Sequence, residues 1–163
     1  MSQALSQLEP KQIWKNFSKL NAIPRGSKKE EKVVAFMMDF GKSLGLETEV
    51  DGVKNVLIKK PATPKMQNRK TVVLQSHLDM VHQKNNATVF DFDKQGIDMY
   101  VDGDWVKAKG TTLGAANGLG VAAIEGVGRN REAGLGVRGG RRQATTCAGR
   151  RRGWAFRLGG FTD

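Results

Sequence analysis

The sequence predicts an α/β class domain, a mixed sheet flanked by helices, and three observations carry that expectation. The first is the run Thr71-Val72-Val73-Leu74-Gln75-Ser76-His77-Leu78-Asp79-Met80, β-branched and apolar at its start and closed by a His-x-Asp pair. A short continuous apolar run of this kind reads as a fully buried strand. The second is a pair of helix-period apolar stripes upstream of it. The third is a glycine-rich entry, Gly110 to Gly120, into a helix beginning near Val121. Ligands of α/β sheets gather at the carboxyl ends of strands, so His77 and Asp79 stand where chemistry is expected. Imidazole and carboxylate together suit a borderline metal such as zinc. By spacing alone, though, a histidine after a strand is more often a hydrogen-bonded structural residue than a ligand.

Leu8, Ile13, Phe17 and Leu20 place an apolar stripe on a first helix, Pro10 to Leu20, with Pro10 suited to its first turn. Asn21-Ala22-Ile23-Pro24-Arg25-Gly26 breaks it. Ser27-Lys28-Lys29-Glu30 has capping-box spacing and starts a second helix. Val33, Val34, Met37, Phe40 and Leu44 line its apolar face, and Gly45 supplies a left-handed stop. The charges from Lys28 to Lys32 read as a solvated first turn. Leu46 to Val50 and Val53 to Lys59 read as strands joined by a tight Asp51-Gly52 hairpin. A polar loop from Pro61 to Arg69 leads to the central strand, Lys70 to Gln75. His82 to Asn86 is a polar loop, with His82 solvated. Asp98 to Val101 and Trp105 to Ala108 flank Asp102-Gly103-Asp104, a second hairpin.

The 163 residues carry a net charge of +11, unevenly spread. Residues 1–125 hold 18 Lys and Arg against 14 Asp and Glu, a net of +4. Residues 126–163 hold 9 Arg against 2 acids, a net of +7. Cys147 is the only cysteine, so no disulfide framework forms within the chain. Met1 to Leu8 lack the apolar core of a secretory signal. No apolar run approaches the ~18 residues a membrane span needs, so the expected partner set excludes the membrane and the expected location is the cytoplasm.

Five blocks together point to a family. They are Leu57-Ile58-Lys59-Lys60-Pro61-Ala62-Thr63; Val73 through Val81; Gln83-Lys84-Asn85-Asn86; Asp102 through Ala108; and Gly110-Thr111-Thr112-Leu113-Gly114-Ala115. On these the chain resembles the cytosolic nonspecific dipeptidases, also called aminoacyl-histidine dipeptidases or peptidase D, from about Leu5 to Ala123. The resemblance implies a partial zinc-exopeptidase-like catalytic domain over residues 1–125. It implies hydrolysis of dipeptides, Xaa-His and others, by water held between two zinc ions about 3.5–4 Å apart. It also implies a homodimer in intact members. His77 would ligate one metal, and Asp79 would be the catalytic-site partner that orients and polarises its imidazole.

Two departures limit what the resemblance implies. The family pattern Gly-Ala-Asp-Asn-Gly places an Asp between the metals, whereas this chain reads Gly114-Ala115-Ala116-Asn117-Gly118. Ala116 at the lost bridging-ligand position cannot ligate a metal. The family then continues into a Glu-Glu pair, a further Asp, a distant His and an inserted lid or dimerisation domain, none of which the sequence matches after about Glu125. Residues 126–163 instead hold 10 Gly and 9 Arg with no Lys, against 16 Lys and 2 Arg upstream. A shifted reading frame in a GC-rich gene produces such a change, and the segment is expected to be an unrelated, disordered tail. The expectation is therefore a truncated, inactive dipeptidase fragment. The alternative is nucleic-acid binding, RNA above all, through Arg138, Arg141, Arg142, Arg150, Arg151 and Arg152.

Overall fold

The computed structural model describes residues 5–129 and the backbone of a strand at 142–147. After a 3-10 turn at Leu5–Gln7 come α1 (Lys11–Asn21) and α2 (Glu31–Ser43). Pro10 stands at the N-cap of α1 with extended backbone. Its stripe buries Phe17 and Leu20 completely, and Asn16 Nδ2 donates to the Ala122 carbonyl 3.0 Å away. The predicted face of α2 is also buried, at Val33, Val34, Met37 and Phe40. Gly45, at φ +67°, ends it as expected, because that backbone region strains any residue with a Cβ.

The start of α2 differs from the expected capping box. Ser27 does not cap it; Glu30 is the N-cap, and its Oε1 accepts from the Lys28 backbone N–H at 2.6 Å. Lys28 takes φ +71°, which breaks the helical path one residue after the serine. Lys28, Lys29, Glu31 and Lys32 are exposed, as a solvated turn requires, and the charges of Lys29, Glu31 and Lys32 meet partners. Glu30 is buried, Lys29 Nζ lies 2.5 Å from Asp93 Oδ2, Lys32 Nζ donates to the Asp93 carbonyl, and Glu31 pairs with Lys54.

The main sheet runs β1 (Glu47–Val50), β2 (Val56–Lys60), β6 (Arg142–Cys147), β3 (Val72–His77). β2 is antiparallel to both β1 and β6, while β3 and β6 are parallel. The β1–β2 connection corrects the two-residue hairpin, since pairing stops at Val50↔Val56. Asp51 organises the wider loop. Its carboxylate accepts from the Val53 N–H at 3.0 Å, and from the Asn55 N–H and Nδ2 at 2.8 Å each. This side-chain turn outcompetes the tight Asp-Gly geometry, and Lys54 takes the positive φ. The separate hairpin of β4 (Met99–Asp102) and β5 (Trp105–Ala108) forms as predicted, with Asp102 opposite Trp105 and Gly103 at φ +57°.

β3 is not the fully buried strand its apolar run predicts. Val73 is 57% exposed, and burial alternates along the strand. The described residues give β3 a neighbour on one side, β6, and leave the Val73–Gln75–His77 face the more open one. β6 also bears on the expected unpacked tail, for the Arg142–Cys147 backbone fills the place between β2 and β3. Residues 130–141 and 148–163, with Arg138, Arg141 and Arg150 to Arg152, lie outside the described residues. α3 (Ala115–Arg129) crosses the expected boundary at 125. Its regular turns begin before Val121, since only Ala116 and Asn117 depart from helical dihedrals.

The core has two parts. Val33, Met37, Val56, Ile58, Leu78 and Val121 pack α2 and α3 against the sheet. Leu5, Phe17, Met99 and Ala122 join α1, α3 and the β4–β5 hairpin. Each such aliphatic or aromatic side chain contributes about 1.5–3 kcal/mol of burial. Glu125 interrupts this apolar interior. It is 1% exposed, and among the described residues neither carboxylate oxygen meets a hydrogen-bond donor. Burial raises its carboxyl from 4.5 to about 7, against weaker downward pulls from Arg129 and Lys19. Between those values the folded chain keeps a proton that the unfolded chain has released. Its contribution to stability therefore falls as the pH rises through that window, by about 3 kcal/mol in all. Urea unfolding of wild type and Glu125→Leu checks this. The variant is expected to be the more stable at pH 8, and the difference is expected to shrink by about 3 kcal/mol on going to pH 4.

Candidate active site

Three segments meet beyond the carboxyl end of β3, and one side chain joins them. The turn after α1 lies beside the strand end, with Gly26 bridged to Met80 and the Arg25 carbonyl accepting from the Met80 N–H at 2.9 Å. Arg25 itself is 1% exposed. Its Nη1 donates to the Leu78 carbonyl at 3.0 Å. Its Nη2 donates to the Gly114 carbonyl at 2.8 Å and to Asn21 Oδ1 at 2.7 Å. Asn21 completes the tie by donating from Nδ2 to the Leu113 carbonyl at 2.8 Å. Burial lowers the guanidinium to about 10, against the pull of the Asp79 carboxylate, so it remains charged at neutral pH. Gly114 sits at φ +71°, and a Cβ there would lie 2.5 Å from Arg25 Nη2. Only glycine allows the loop this close to the guanidinium.

The clamp holds the His77–Asp79 pair. His77 Nδ1 lies 3.0 Å from the Asp79 carbonyl oxygen and 3.0 Å from Asp79 Oδ1. Both are acceptors, so Nδ1 is the ring nitrogen that donates, and in a neutral ring Nε2 is the one with the lone pair. Asp79 Oδ2 accepts from Ser27 Oγ at 2.5 Å. The His77 side chain is 38% exposed and that of Asp79 22%. Ser76 Oγ reaches the Asn117 carbonyl at 3.3 Å, which ties the first turn of α3 to β3. Ala116 lies in that turn and brings only a methyl group. Cys147 is the register partner of His77 on β6.

These atoms do not fit a two-metal centre. His77 Nε2 is one available donor, the Asp79 carboxylate is engaged by His77 and Ser27, and Ala116 has no donor atom. Among the described residues no group of three or more His, Cys, Asp or Glu is placed to hold a metal ion. His82 is not the solvated loop residue it was expected to be. It stacks on Phe92, with centroids 4.3 Å apart and planes 13° from parallel, and its ring is half-buried against Gly26. Burial lowers its pKa, with Lys29 and Arg25 adding to the shift and Asp93 opposing it.

Arg25, Asn21 and Ser27 escape a reading of the sequence, which takes 21–26 as a helix break and Ser27 as a cap. One signal was present. Arg25 is one of only 2 Arg among 16 Lys before residue 126. Arginine offers the planar, multidentate donor that lysine lacks, although Arg69, the other one, is exposed in a loop.

The chain is 55% identical over 119 residues to the cytosol non-specific dipeptidase of Escherichia coli (strain K12), a match covering 73% of this chain and 24% of that protein. The crystal structure of aminoacylhistidine dipeptidase from Vibrio alginolyticus superposes with a TM-score of 0.84 at 42% identity, covering 91% of this chain and 30% of that one. A tripeptidase structure from Staphylococcus aureus superposes with a TM-score of 0.66 at 20% identity, covering 85% and 36%, and shares the fold. No protein-family model matches the chain. The chain thus spans about a quarter to a third of the length of these relatives, all of them peptidases by name.

Arg25→Leu leaves the Leu78 carbonyl and the Asn21 amide oxygen without their donor, and the Gly114 carbonyl with the Gly118 N–H alone. Urea unfolding is expected to show a loss of at least about 3 kcal/mol. Arg25→Lys is expected to recover less than half of it, since a point-like ammonium cannot span three acceptors. Equal stability of Arg25→Leu and wild type would show that the clamp carries no load.

Proposed function

We propose, from its kinship with the aminoacylhistidine and cytosol non-specific dipeptidases, that residues 1–125 of this chain correspond to part of a metallodipeptidase catalytic domain. We propose also that the chain as it stands does not hydrolyse dipeptides. The observation that carries the second statement is Ala116. It occupies the place where the family pattern has the carboxylate shared by both metals. Dipeptides are the substrate class the kinship supports, and the cytoplasm is the location it supports. Among the described residues no helix is long and apolar enough to cross a membrane.

Within this reading His77 is a metal-ligand position and Asp79 is the group that orients it. The Nδ1–H to Asp79 contact leaves Nε2 basic, and a carboxylate behind a ligating imidazole raises its donor strength. That is half of an arrangement. A hydrolytic site of this kind also needs a bridging carboxylate and a base to take the proton of the attacking water. Zinc, the cofactor expected from the resemblance, does not find a complete donor set in the residues present, and no step is assigned to it.

Calorimetric titration with zinc is expected to show no saturable site at one-to-one stoichiometry. Ala116→Asp is expected to strengthen zinc binding without producing dipeptide hydrolysis, because a carboxylate at 116 supplies a ligand but no base. A tight stoichiometric zinc site in the wild-type chain would contradict the proposal.

A further inference from the structure

We propose that the last turn of α3, from Glu125 to Arg129, is a pH-gated segment: it stays seated against β2 and α2 while the Glu125 carboxyl keeps its proton, and swings clear as that group ionises. The geometry sets up the conflict. Glu125 is 1% exposed, and among the described residues neither of its oxygens meets a donor. A neutral carboxyl tolerates such a place far better than an unpaired carboxylate does. The cations that face it are Lys19 on α1 and Arg129 on α3 itself, and their pull is weaker than the effect of burial. The other packed elements bring no relief. β2 presents Lys60, whose Nζ donates to the Val127 carbonyl at 2.7 Å. α2 presents the Phe40 ring, with the Arg129 guanidinium 4.8 Å from its centre. The titratable group of β3 is His77, and Ser76 beside it meets Asn117 at the opposite end of α3.

The way out for the carboxyl is short. Of the four residues between Glu125 and the end of α3, two are glycines, Gly126 and Gly128, and glycine holds a helix poorly. A Cβ on Gly126 would meet nothing within 4 Å, so that side of the turn is open. The turn is held by the Lys60 contact with Val127 and by the packing of Gly128 and Arg129 on Phe40. The helix before it is pinned more firmly. Val121 and Ala122 are fully buried, and Asn16 Nδ2 donates to the Ala122 carbonyl at 3.0 Å. An opening that begins at Glu125 therefore brings the carboxylate to water and leaves the core in place. In the open turn the carboxyl titrates near its ordinary 4.5, and in the closed turn near 7. The open population consequently grows as the pH rises between those values and levels off above them.

Hydrogen exchange of the full chain tests this, followed residue by residue by NMR from pH 5 to pH 8 and expressed as protection relative to an unstructured chain. The amides of Val127, Gly128 and Arg129 are expected to be less protected than those of Val121 and Ala122. Across the range they are expected to lose at least about tenfold of that protection. In Glu125→Gln, which cannot ionise, the same amides are expected to keep a constant protection. A last turn whose low protection does not change with pH is only frayed, and overturns the proposal. A last turn protected as well as Val121 and Ala122 overturns it too, because the carboxyl then reaches water by global unfolding alone. So does a pH dependence that survives in Glu125→Gln. Should Glu125→Gln fail to fold, Glu125→Leu takes its place with the same expectation and the same contrary result.

Discussion

The guanidinium of Arg25 presents N–H donors in a rigid planar fork, and three oxygens of this fold converge on it. Two are main-chain carbonyls, Leu78 just beyond β3 and Gly114 just before α3, and the third is the side chain of Asn21 at the end of α1. Elements distant in sequence are thereby fixed to one point. His77 and Asp79 flank one of the clamped carbonyls, and Ala116 follows the other by two residues. The separation of the two halves of the candidate site is thus set by a residue that faces neither. A lysine could neutralise the same charge but could not reach the same three acceptors.

On the proposed reading, what the clamp positions is only part of a catalytic apparatus. The imidazole of His77 is held against Asp79, but the position two residues beyond Gly114 carries a methyl group. α3 holds a second mismatch of the opposite kind, since Glu125 buries a carboxyl group with no donor to meet it among the described residues. A carboxyl group is missing where chemistry would use one and present where packing would not. Both lie on α3, the helix that also buries Val121 and Ala122.

Much of this was legible in the residues. The stripes of α1 and α2 follow from helical periodicity, and Gly45 and Gly103 take the left-handed backbone their positions demanded. The position of His77 and Asp79 at a strand end follows from the motif, while their contact was legible only through the family resemblance. Other features depend on tertiary context that local patterns do not contain. The Asp51 turn won over a two-residue hairpin because three donors could reach one carboxylate. Ser27 left its helix for Asp79, 52 residues away, because the Arg25 clamp brought the two together. The exposure of Val73 reflects which sides of β3 are covered, and a strand's own composition cannot state that.

The most direct test is hydrolysis of dipeptides, an Xaa-His dipeptide among them, by the purified chain. Zinc, manganese or cobalt is supplied in turn, with a chelator control and circular dichroism to establish folding. A folded chain that releases amino acids no faster than buffer is the predicted result. Chelator-sensitive turnover would contradict the account. It would mean that a carboxylate at position 116 is dispensable, or that the missing ligands and base come from elsewhere in the assembled protein.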